Sequence, residues 1–354
     1  MMPNLTTPVL APQMPFRIDY STGIVSLGSC FADEIGARLQ EGDFHVELNP
    51  FGALYNPASI AAAVRRLVDD SPIGREDLVQ NEGYWHSWHH HGSFSRSTAG
   101  ATLMVCNSRL HRAHAALGEA SLLMVTFGTA WVFEREGAIV ANCHKVAPQE
   151  FTRRRMTVEE IVALWQPLLE ELAAYYPGLH VLFTVSPIRH MADGAHGNQL
   201  SKSTLLLAVD QLIAQNSRLN TLSYFPAYEI VLDELRDYRF FDEKMTHPTS
   251  VAVDVVWERF QRATMVPAVR EQAHYNAKQH KRERHIPLHG KEGWWVTRRQ
   301  ACKGKVAAPP MRRLLPYVSQ SRRSGCRHST QGWCRRPVPR AAPAGGGWRR
   351  LRVP

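Results

Sequence analysis

The sequence predicts an α/β domain, a three-layer α/β/α sandwich with a mostly parallel sheet in the middle. Two observations favour this fold. Short apolar runs typical of buried strands, among them Leu122–Phe127 and Leu179–Val185, alternate with amphipathic helix patterns along the chain. Strand-like runs lead into helices, and this order is typical of parallel sheets covered by helices on both faces. Ligands in such sheets bind at the carboxyl ends of the strands.

The first predicted elements are a strand and two helices. The strand covers residues 23–27 and runs into the small-residue turn Gly28-Ser29-Cys30. The helix after this turn has an apolar face formed by Ala32, Ile35 and Leu39. The pair Asn56-Pro57 is typical of an N-cap followed by proline at the first helical position. It predicts a second helix whose apolar stripe is Ile60, Val64 and Leu67.

The rest of the domain continues this alternation. A hairpin is predicted from the runs 131–133 and 138–141, which flank Arg135-Glu136-Gly137. Thr157 and Glu160 form a capping box that opens a helix, and Pro177-Gly178 ends it. The predicted apolar side of this helix is Ile161, Leu164, Leu168 and Leu172. Amphipathic helices follow at 201–216 and 250–260, and the second is the last predicted helix of the domain.

The positive charge of the chain lies in its C-terminal segment. The net charge is +10, but residues 298–354 carry 15 Lys and Arg and no Asp or Glu. The remainder is mildly acidic, at −5, so we expect no nucleic acid to bind the folded domain. Because the segment also lacks any apolar period, we expect it to be disordered.

The composition divides the chain into four parts. They are an N-terminal extension at 1–19, the α/β domain at 20–265, a basic helical or linker segment at 266–297 and the Arg/Pro-rich tail at 298–354. Thirteen of the 15 basic tail residues are Arg and seven tail residues are Pro, amino acids with GC-rich codons. A frame-shifted reading of GC-rich DNA would give this composition; an RNA- or anion-binding tail is the alternative.

The cysteines and the N-terminus favour a cytoplasmic protein. The six cysteines show no tight pairing pattern, which is typical of reduced thiols in the cytosol. Residues 1–20 contain four prolines and no apolar core of a secretion signal. No stretch approaches the roughly 18–20 apolar residues that cross a bilayer. We therefore expect no membrane span.

Four polar clusters follow strand ends or precede a helix, and together they predict one site. They are Gly28-Ser29-Cys30, Gly128-Thr129-Ala130, the run 186–190 (Ser-Pro-Ile-Arg-His) and His247-Pro248. A small-residue turn between a strand and a helix presents a nucleophile beside free backbone N–H groups in α/β hydrolytic enzymes. The first cluster holds two such nucleophiles, Ser29 and Cys30.

Several motifs of the chain are similar to those of a known family. They are 28–32 (GSCFA), 49–57 (NPFGALYNP), 128–130 (GTA), 142–145 (NCHK), 186–190 (SPIRH), 201–202 (SK), 224–229 (YFPAYE), 235–240 (LRDYRF) and 247–248 (HP). Through them, residues 20–262 resemble the GSCFA family, which looks like a branch of the SGNH (GDSL-like) hydrolase superfamily. The resemblance implies an α/β/α sandwich and a hydrolase-like site, but no particular substrate.

The resemblance places Cys30 at the superfamily's nucleophile position and Ser29 at that of an aspartate. A thiol at a helix N-terminus is biased toward the reactive thiolate, whereas a serine needs a base, so we prefer Cys30 to Ser29. A buried, inert cysteine is the other reading of Cys30. The resemblance makes His247 the base. Lys244 stands where the superfamily has an aspartate, which favours a Cys–His dyad over a triad.

The resemblance also implies which groups hold the oxyanion. They are the N–H groups of Cys30 and Gly52 and a third donor, which is missing because Ala130 replaces the superfamily's asparagine. Asn142 or His144, returning on the hairpin, would replace it. The remaining residues predicted to bind substrate are Gly128, Thr129, Arg189 and His190.

These residues predict a hydrolase or acyltransferase that acts on an ester-linked acyl group of a small molecule or a carbohydrate. A catalytically silent binding protein on the same scaffold is the alternative, which the missing aspartate and asparagine favour. We expect no cofactor. The histidines of segment 85–91 (WHSWHHH), with His144 and His190, suggest zinc, but no carboxylate or cysteine stands at a ligand spacing. We therefore expect a polar loop without a metal.

Overall fold

The fold is described from a computed structural model, for residues 7–216 and 221–284. The predicted tail at 298–354 lies outside the described residues, as does the second part of the segment predicted as basic helix or linker, from residue 285 onward.

The secondary structure follows the predicted alternation. The strands are β1 (Ile24–Gly28), β2 (Val46–Leu48), β3 (Leu78–Asn81), β4 (Tyr84–Ser87), β5 (Leu122–Phe127), β6 (Trp131–Arg135), β7 (Ala138–Val140), β8 (Thr152–Arg155), β9 (His180–Val185) and β10 (Leu222–Tyr224). The helices are α1 (Cys30–Glu41), α2 (Pro57–Asp69), α3 (Ala99–Glu119), α4 (Val158–Tyr175), α5 (Gly194–Gln215), α6 (Ala227–Glu229), α7 (Ser250–Thr264) and α8 (Pro267–Arg284). None of the helices within the described ranges is both long and apolar enough to cross a bilayer.

The central sheet has five parallel strands in the order β10-β9-β5-β1-β2. From β1 the chain goes to β2 at one edge and then crosses back to β5, β9 and β10 on the other side. The strand order therefore reverses between β1 and β5, which pair in parallel with Leu27 opposite Val125. Two small antiparallel sheets, β3-β4 and β7-β6-β8, lie outside this sheet.

Helices cover both faces of the central sheet, which confirms the predicted three layers. One core lies between the sheet and helices α2 to α5, with Val25, Val125 and Phe183 from the strands. The other lies between the sheet and helices α1 and α7, with Ile24, Met124 and Leu182 from the same strands. Adjacent strand residues point to opposite faces, so both faces of each central strand are apolar, as in buried parallel sheets.

The predicted helix starts are confirmed by their caps. The Asn56 side chain accepts the N–H of Ser59 at 2.8 Å, and Thr157 and Glu160 form the reciprocal capping box. Leu164 is 38% exposed, so its predicted place on the buried side of α4 is wrong. Helix α5 begins at Gly194 rather than at residue 201. Its first two turns are mostly exposed, and the buried Asn198 accepts the His190 N–H at 2.9 Å.

The segment before β1 contacts helix α7, and the helix after α7 contacts helix α1. The N–H of Met14 donates to Ala263 O at 3.0 Å, and that of Ile18 to Thr264 O at 2.8 Å. Helix α8 packs against α1 with Ala273 buried. The segment before β1 and the helix after α7 are thus part of the packed structure.

Candidate active site

The reversal of strand order between β1 and β5 locates the candidate site. Crevices form at the carboxyl edge of an open α/β sheet where neighbouring strands connect in opposite directions. Here the two strands end at Gly28 and Phe127, so the turns 28–30 and 128–130 lie beside each other. The predicted convergence of these two polar clusters follows from this topology.

Gly28 is required by the close approach of β1 to β5. Its φ of +152° belongs to a region that L side chains rarely adopt, and a Cβ there would overlap with Thr126. Its N–H donates to Asn49 Oδ1 at 2.9 Å. The turn that follows is therefore held tightly against the end of β5.

Ser29 and Cys30 have different surroundings, which bears on the choice between them. Ser29 is the N-cap of α1: its side chain is 1% exposed and accepts the N–H of Phe31 at 3.3 Å. Cys30 is the first residue of the helix and is partly exposed. The hydroxyl is therefore engaged in holding the turn, while the thiol is open to the cavity.

A cavity of about 640 Å³ lies over this turn. Seven of the predicted site residues line it: Ser29, Cys30, Thr129, Asn142, Arg189, His190 and His247. Three predicted residues, Gly52, Gly128 and His144, are not among its lining residues. Cys30 and His247 share the cavity without a direct hydrogen bond among the described residues, so a substrate or water would lie between them.

Asp242 holds the loop that carries His247. Its Oδ1 accepts the N–H groups of Thr246 at 2.9 Å and His247 at 3.1 Å, and these bonds hold the pKa of Asp242 below its usual range. Its Oδ2 lies 3.5 Å from His247 Nδ1. Lys244 does occupy the expected aspartate position, but Asp242, five residues before the histidine, supplies a carboxylate instead.

Arg189 fastens the same loop to the end of β9. Its N–H donates to Thr246 O at 2.9 Å, and its Nη1 donates to Met245 O at 2.9 Å. The guanidinium lies 5.5 Å from the centre of the Phe241 ring. Arg189 lines the cavity, and its hydrogen bonds hold the loop that carries His247.

Three predicted site residues have backbone N–H groups that donate to carbonyls of the fold. The Gly52 N–H donates to Asn49 O at 2.8 Å, and those of Gly128 and Thr129 both donate to Tyr55 O, at 2.8 and 2.9 Å. The backbone N–H groups of Gly52, Gly128 and Thr129 are therefore bonded to carbonyls of the fold. The N–H of Cys30, at the start of α1, has no acceptor within its helix.

His144 makes local contacts and is not among the residues that line the cavity. It is buried, its Nε2 is 2.7 Å from Ser87 O and its ring stacks on His86 at 4.6 Å. Burial lowers the pKa of His144 to about 4, so the ring is neutral and its Nε2–H donates to the carbonyl. Asn142 accepts the His144 N–H at 2.9 Å and lines the cavity, so Asn142 is the better of the two predicted donors.

A family-level match covers residues 23–260 and identifies the GSCFA family. The chain belongs to the GSCFA family. No curated protein matches the sequence.

Two solved structures are similar to this GSCFA protein at low identity. A putative acylhydrolase from Bacteroides fragilis NCTC 9343 matches with 9% identity and a TM-score of 0.33, over 73% of this chain and 92% of that one. An acetyl xylan esterase from the rumen bacterium Butyrivibrio proteoclasticus matches with 11% identity and a TM-score of 0.33. That match covers 73% of this chain and 64% of the esterase.

His190 lies on the cavity wall of the GSCFA domain with a neutral ring. Its backbone N–H donates to Asn198 Oδ1 at 2.9 Å. Its Nε2 is buried and has no partner in the part of the chain that the structure describes. Burial lowers the pKa of His190 to about 4. A neutral imidazole here can offer one nitrogen to a bound ligand without adding a charge.

The aromatic wall of the cavity was missed by the sequence interpretation. The Arg153 guanidinium stacks 4.2 Å from the centre of the Trp131 ring and pairs with Asp193 through two bonds of 2.6 and 2.7 Å. All three residues line the cavity. The only sequence signal was the position of Trp131 in the predicted hairpin, since β8, which carries Arg153, was not predicted.

Tyr55 is a second cavity residue that the sequence interpretation missed, although it belongs to the motif at 49–57. It lines the cavity, and its hydroxyl is 3.5 Å from Cys30 Sγ. It directly precedes the Asn56-Pro57 cap of α2, and no local pattern distinguishes its side chain from that of any residue before a cap.

The histidine-rich segment 85–91 forms local hydrogen bonds. His86 Nδ1 is 2.6 Å from Ser95 Oγ, His89 Nε2 is 2.9 Å from Asp77 Oδ1, and His90 Nδ1 is 2.9 Å from Ser87 Oγ. Within residues 7–216 and 221–284, no group of three or more His, Cys, Asp or Glu is placed to hold a metal ion. Neither Trp85 nor Trp88 is among the residues lining the Cys30 cavity.

Helix α5 supports the turn after β5 with a buried cation. Lys202 is 0% exposed, and its Nζ donates to Gly128 O and Ser186 O, both at 2.6 Å. Burial lowers the pKa of Lys202 to about 7. The neighbouring Ser201 Oγ accepts the Ala130 N–H at 2.8 Å. Through these two residues, helix α5 binds the backbone of the segments that follow β5 and β9.

Proposed function

We propose that this GSCFA protein is a hydrolase or acyltransferase acting on an ester-linked acyl group, with Cys30 as nucleophile and His247 as base. One observation carries the proposal: the first residue of α1 is a thiol, and it shares a cavity at the β1/β5 reversal with a histidine that has a carboxylate partner. A nucleophile, a base and a group that orients the base form the arrangement used in covalent acyl transfer.

The reaction begins with proton transfer from the Cys30 thiol to His247 Nε2, directly or through one water. The thiolate then attacks the ester carbonyl carbon, a C–S bond forms and the carbonyl electron pair moves to oxygen. Collapse of this intermediate breaks the C–O bond, and the protonated His247 gives its proton to the departing alkoxide. His247 then takes the proton of a water or of a second hydroxyl, whose oxygen attacks the thioester carbonyl carbon. The C–S bond breaks, and the leaving Cys30 sulfur takes the proton back from His247. Water as acceptor gives hydrolysis, and a second hydroxyl gives acyl transfer.

Asp242 orients the base in this scheme. When its carboxylate faces Nδ1 of His247, the Nδ1–H tautomer is favoured and the lone pair of the ring lies on Nε2. The Thr246 hydroxyl is 3.0 Å from the same Nδ1. With Asp242, the proposed site has three members, Cys30, His247 and Asp242, whereas the sequence alone favoured a dyad of Cys30 and His247.

The cavity wall supports a carbohydrate as carrier of the acyl group. An exposed aromatic ring can pack against the apolar face of a sugar ring, while a guanidinium beside it donates hydrogen bonds to sugar hydroxyls and a carboxylate accepts them. Phe133 is exposed and lines the cavity together with Arg153 and Asp193. The substrate class we propose is a small-molecule or carbohydrate ester, with no cofactor. A reducing compartment would keep the nucleophile as a thiol, so we place the protein in the cytoplasm.

A panel of short-chain acyl esters and acylated sugars tests this function. We expect turnover by the native chain, none by Cys30→Ala, and a large loss in His247→Ala. Cys143→Ala is the matched control, because Cys143 lines the same cavity and should leave turnover unchanged. A thiol-directed probe should label Cys30 faster in the native chain than in His247→Ala.

The same experiment separates catalysis from silent binding. The exposure of the His247 side chain, 53%, is the observation that favours a binding protein, because an exposed base is less restricted in position. No turnover of any ester, with acylated sugars bound equally by the native chain and by Cys30→Ala, would establish the binding role and refute the enzyme.

A further inference from the structure

We propose that the Tyr55 hydroxyl donates a hydrogen bond to the oxyanion that forms when Cys30 attacks a carbonyl carbon. This inference rests on the proposed function of Cys30 and adds a catalytic residue to it. The Tyr55 hydroxyl would be a side-chain donor at a site where several backbone N–H groups already donate to carbonyls of the fold.

The first step is the contact with the thiol. The Tyr55 hydroxyl lies 3.5 Å from Cys30 Sγ and is the hydrogen-bond partner of that sulfur among the described residues. The carbonyl oxygen of a substrate attacked by Sγ is bonded to the carbon next to this sulfur. A donor within reach of Sγ is therefore within reach of the developing oxyanion after a small rotation of the hydroxyl.

The second step is the shortage of other donors. The backbone N–H groups of Gly128 and Thr129 donate to Tyr55 O, that of Gly52 to Asn49 O and that of Ala130 to Ser201 Oγ. Of the backbone groups, the Cys30 N–H remains, at the start of α1, and the Asn142 side chain also lines the cavity. Removal of one donor from an oxyanion site costs about 10²–10³ in kcat, so a single N–H would leave the charge poorly held.

The third step is the rigidity of Tyr55. Its carbonyl is fixed by two N–H donors at 2.8 and 2.9 Å, and the following residue, Asn56, caps α2. Its ring lies edge-on to that of His190 at 6.3 Å. Burial raises the pKa of Tyr55, so the group stays protonated and keeps its O–H as a donor at neutral pH. A donor held in place before the reaction needs no reorganisation when charge develops.

In the proposed step, Cys30 Sγ forms a bond with the carbonyl carbon while the C=O π pair moves to the oxygen. The oxyanion accepts hydrogen bonds from the Cys30 N–H and the Tyr55 O–H. No proton leaves Tyr55, and the hydroxyl returns to Sγ when the C=O bond re-forms and the alkoxide departs. The tyrosine therefore acts by hydrogen bonding alone.

The test is Tyr55→Phe, with Tyr84→Phe as the matched control because Tyr84 is exposed on β4. For the best ester of the panel, we expect kcat to fall about 100-fold with KM changed less than about twofold, because the lost bond forms only in the transition state. The control should keep both constants. Phenylalanine retains the ring and the backbone contacts, so the fold should be preserved.

A second measurement distinguishes an oxyanion donor from a packing role. A short-chain trifluoromethyl ketone forms a reversible tetrahedral adduct with a thiol, whereas alkylation by iodoacetamide creates no oxyanion. We expect Tyr55→Phe to weaken the adduct about 100-fold and to change the Cys30 alkylation rate by less than about threefold. Equal losses in both would assign Tyr55 a structural role and overturn the proposal, as would no loss in either.

The outcome for Cys30→Ala keeps the two proposals apart. If Cys30→Ala is inactive and Tyr55→Phe keeps its full kcat, the oxyanion proposal is wrong while the proposed function stands. If Cys30→Ala keeps its activity, the proposed function fails and the role of Tyr55 fails with it.

Discussion

Asp242 binds His247 through both its backbone and its side chain. One carboxylate oxygen accepts the His247 N–H at 3.1 Å, and the other lies 3.5 Å from Nδ1 of the ring. The same loop is closed by the Asp242 N–H, which donates to His247 O at 2.8 Å. The candidate base is therefore placed and oriented by a residue five positions earlier in the chain.

Replacing Asp242 with asparagine should separate these two functions. The amide oxygen still accepts the loop N–H groups, but the negative charge facing Nδ1 is lost. We expect kcat/KM for an ester to fall at least about tenfold while the melting temperature changes little. Glu243→Gln, which removes the neighbouring exposed carboxylate, is the control. Equal effects of the two substitutions would show that only the net charge of the loop matters.

Ser29 and Cys30 should respond in opposite ways to replacement by alanine. Ser29→Ala removes the N-cap of α1 and should reduce the free energy of unfolding by about 1 kcal/mol while most turnover remains. Cys30→Ala should abolish turnover with little change in stability. Chemical denaturation and ester hydrolysis, measured on both variants, check this pair. The reverse ranking of activities would transfer the nucleophile role to Ser29.

Lys202→Met should destabilise the domain. The substitution leaves Gly128 O and Ser186 O buried without their donor, which we expect to cost about 2–4 kcal/mol in the free energy of unfolding. Lys278→Met, on an exposed position of α8, should cost nearly nothing. Urea unfolding of both variants is the measurement. A native-like stability of Lys202→Met would mean that these carbonyls find other donors.

The pH dependence of stability should report the burial of Lys202. Its pKa is lowered to about 7 in the folded chain, against roughly 10.4 for an unfolded lysine. Between these values the unfolded chain binds a proton that the folded chain does not, so the free energy of unfolding rises with pH in this window. The difference in stability between native protein and Lys202→Met should therefore grow in favour of the native protein from about pH 7 to pH 10. A difference that shrinks over this range would contradict the assignment.

Gly28→Ala should prevent correct formation of the turn before Cys30. The new Cβ would overlap with Thr126, and the backbone conformation is strained for alanine, so we expect a loss of more than about 3 kcal/mol or failure to fold. Gly118→Ala is the control, because Gly118 lies in α3 with open space around its Cα and alanine favours helix. The control should be neutral or slightly stabilising in thermal unfolding.

The sequence was sufficient to predict the parallel sheet and its two helical layers, and it predicted polar clusters at the carboxyl ends of the strands. Strand and helix periodicities are local signals, and the carboxyl ends of parallel strands meet at one edge whatever the details of packing. For that reason the sequence predicts that the clusters at 28–30, 128–130 and 186–190 lie close to one another, even when no contact between them is known.

The hydrogen-bond use of individual groups could not be predicted in the same way. Whether the N–H of Gly128 is free depends on the position of Tyr55 O, more than 70 residues earlier in the chain. Asp242 was set aside as the partner of His247 because it lies five residues before the histidine rather than three, and no local pattern shows that the loop folds back. The role of His144 depends on Ser87 O, which belongs to a different hairpin. These are properties of tertiary geometry that no local pattern encodes.

The contact between the segment before β1 and the end of α7 has a consequence for synthesis of the chain. Gln13 Nε2 donates to Arg262 O and Arg17 Nη1 to Ala263 O, across sequence separations of 249 and 246 residues. Residues 13–18 can therefore dock only after the end of α7 has been synthesised. Helix α1 can cover β1 earlier, but the core that it shares with Met14, Ile18 and α7 is completed only when α7 is present.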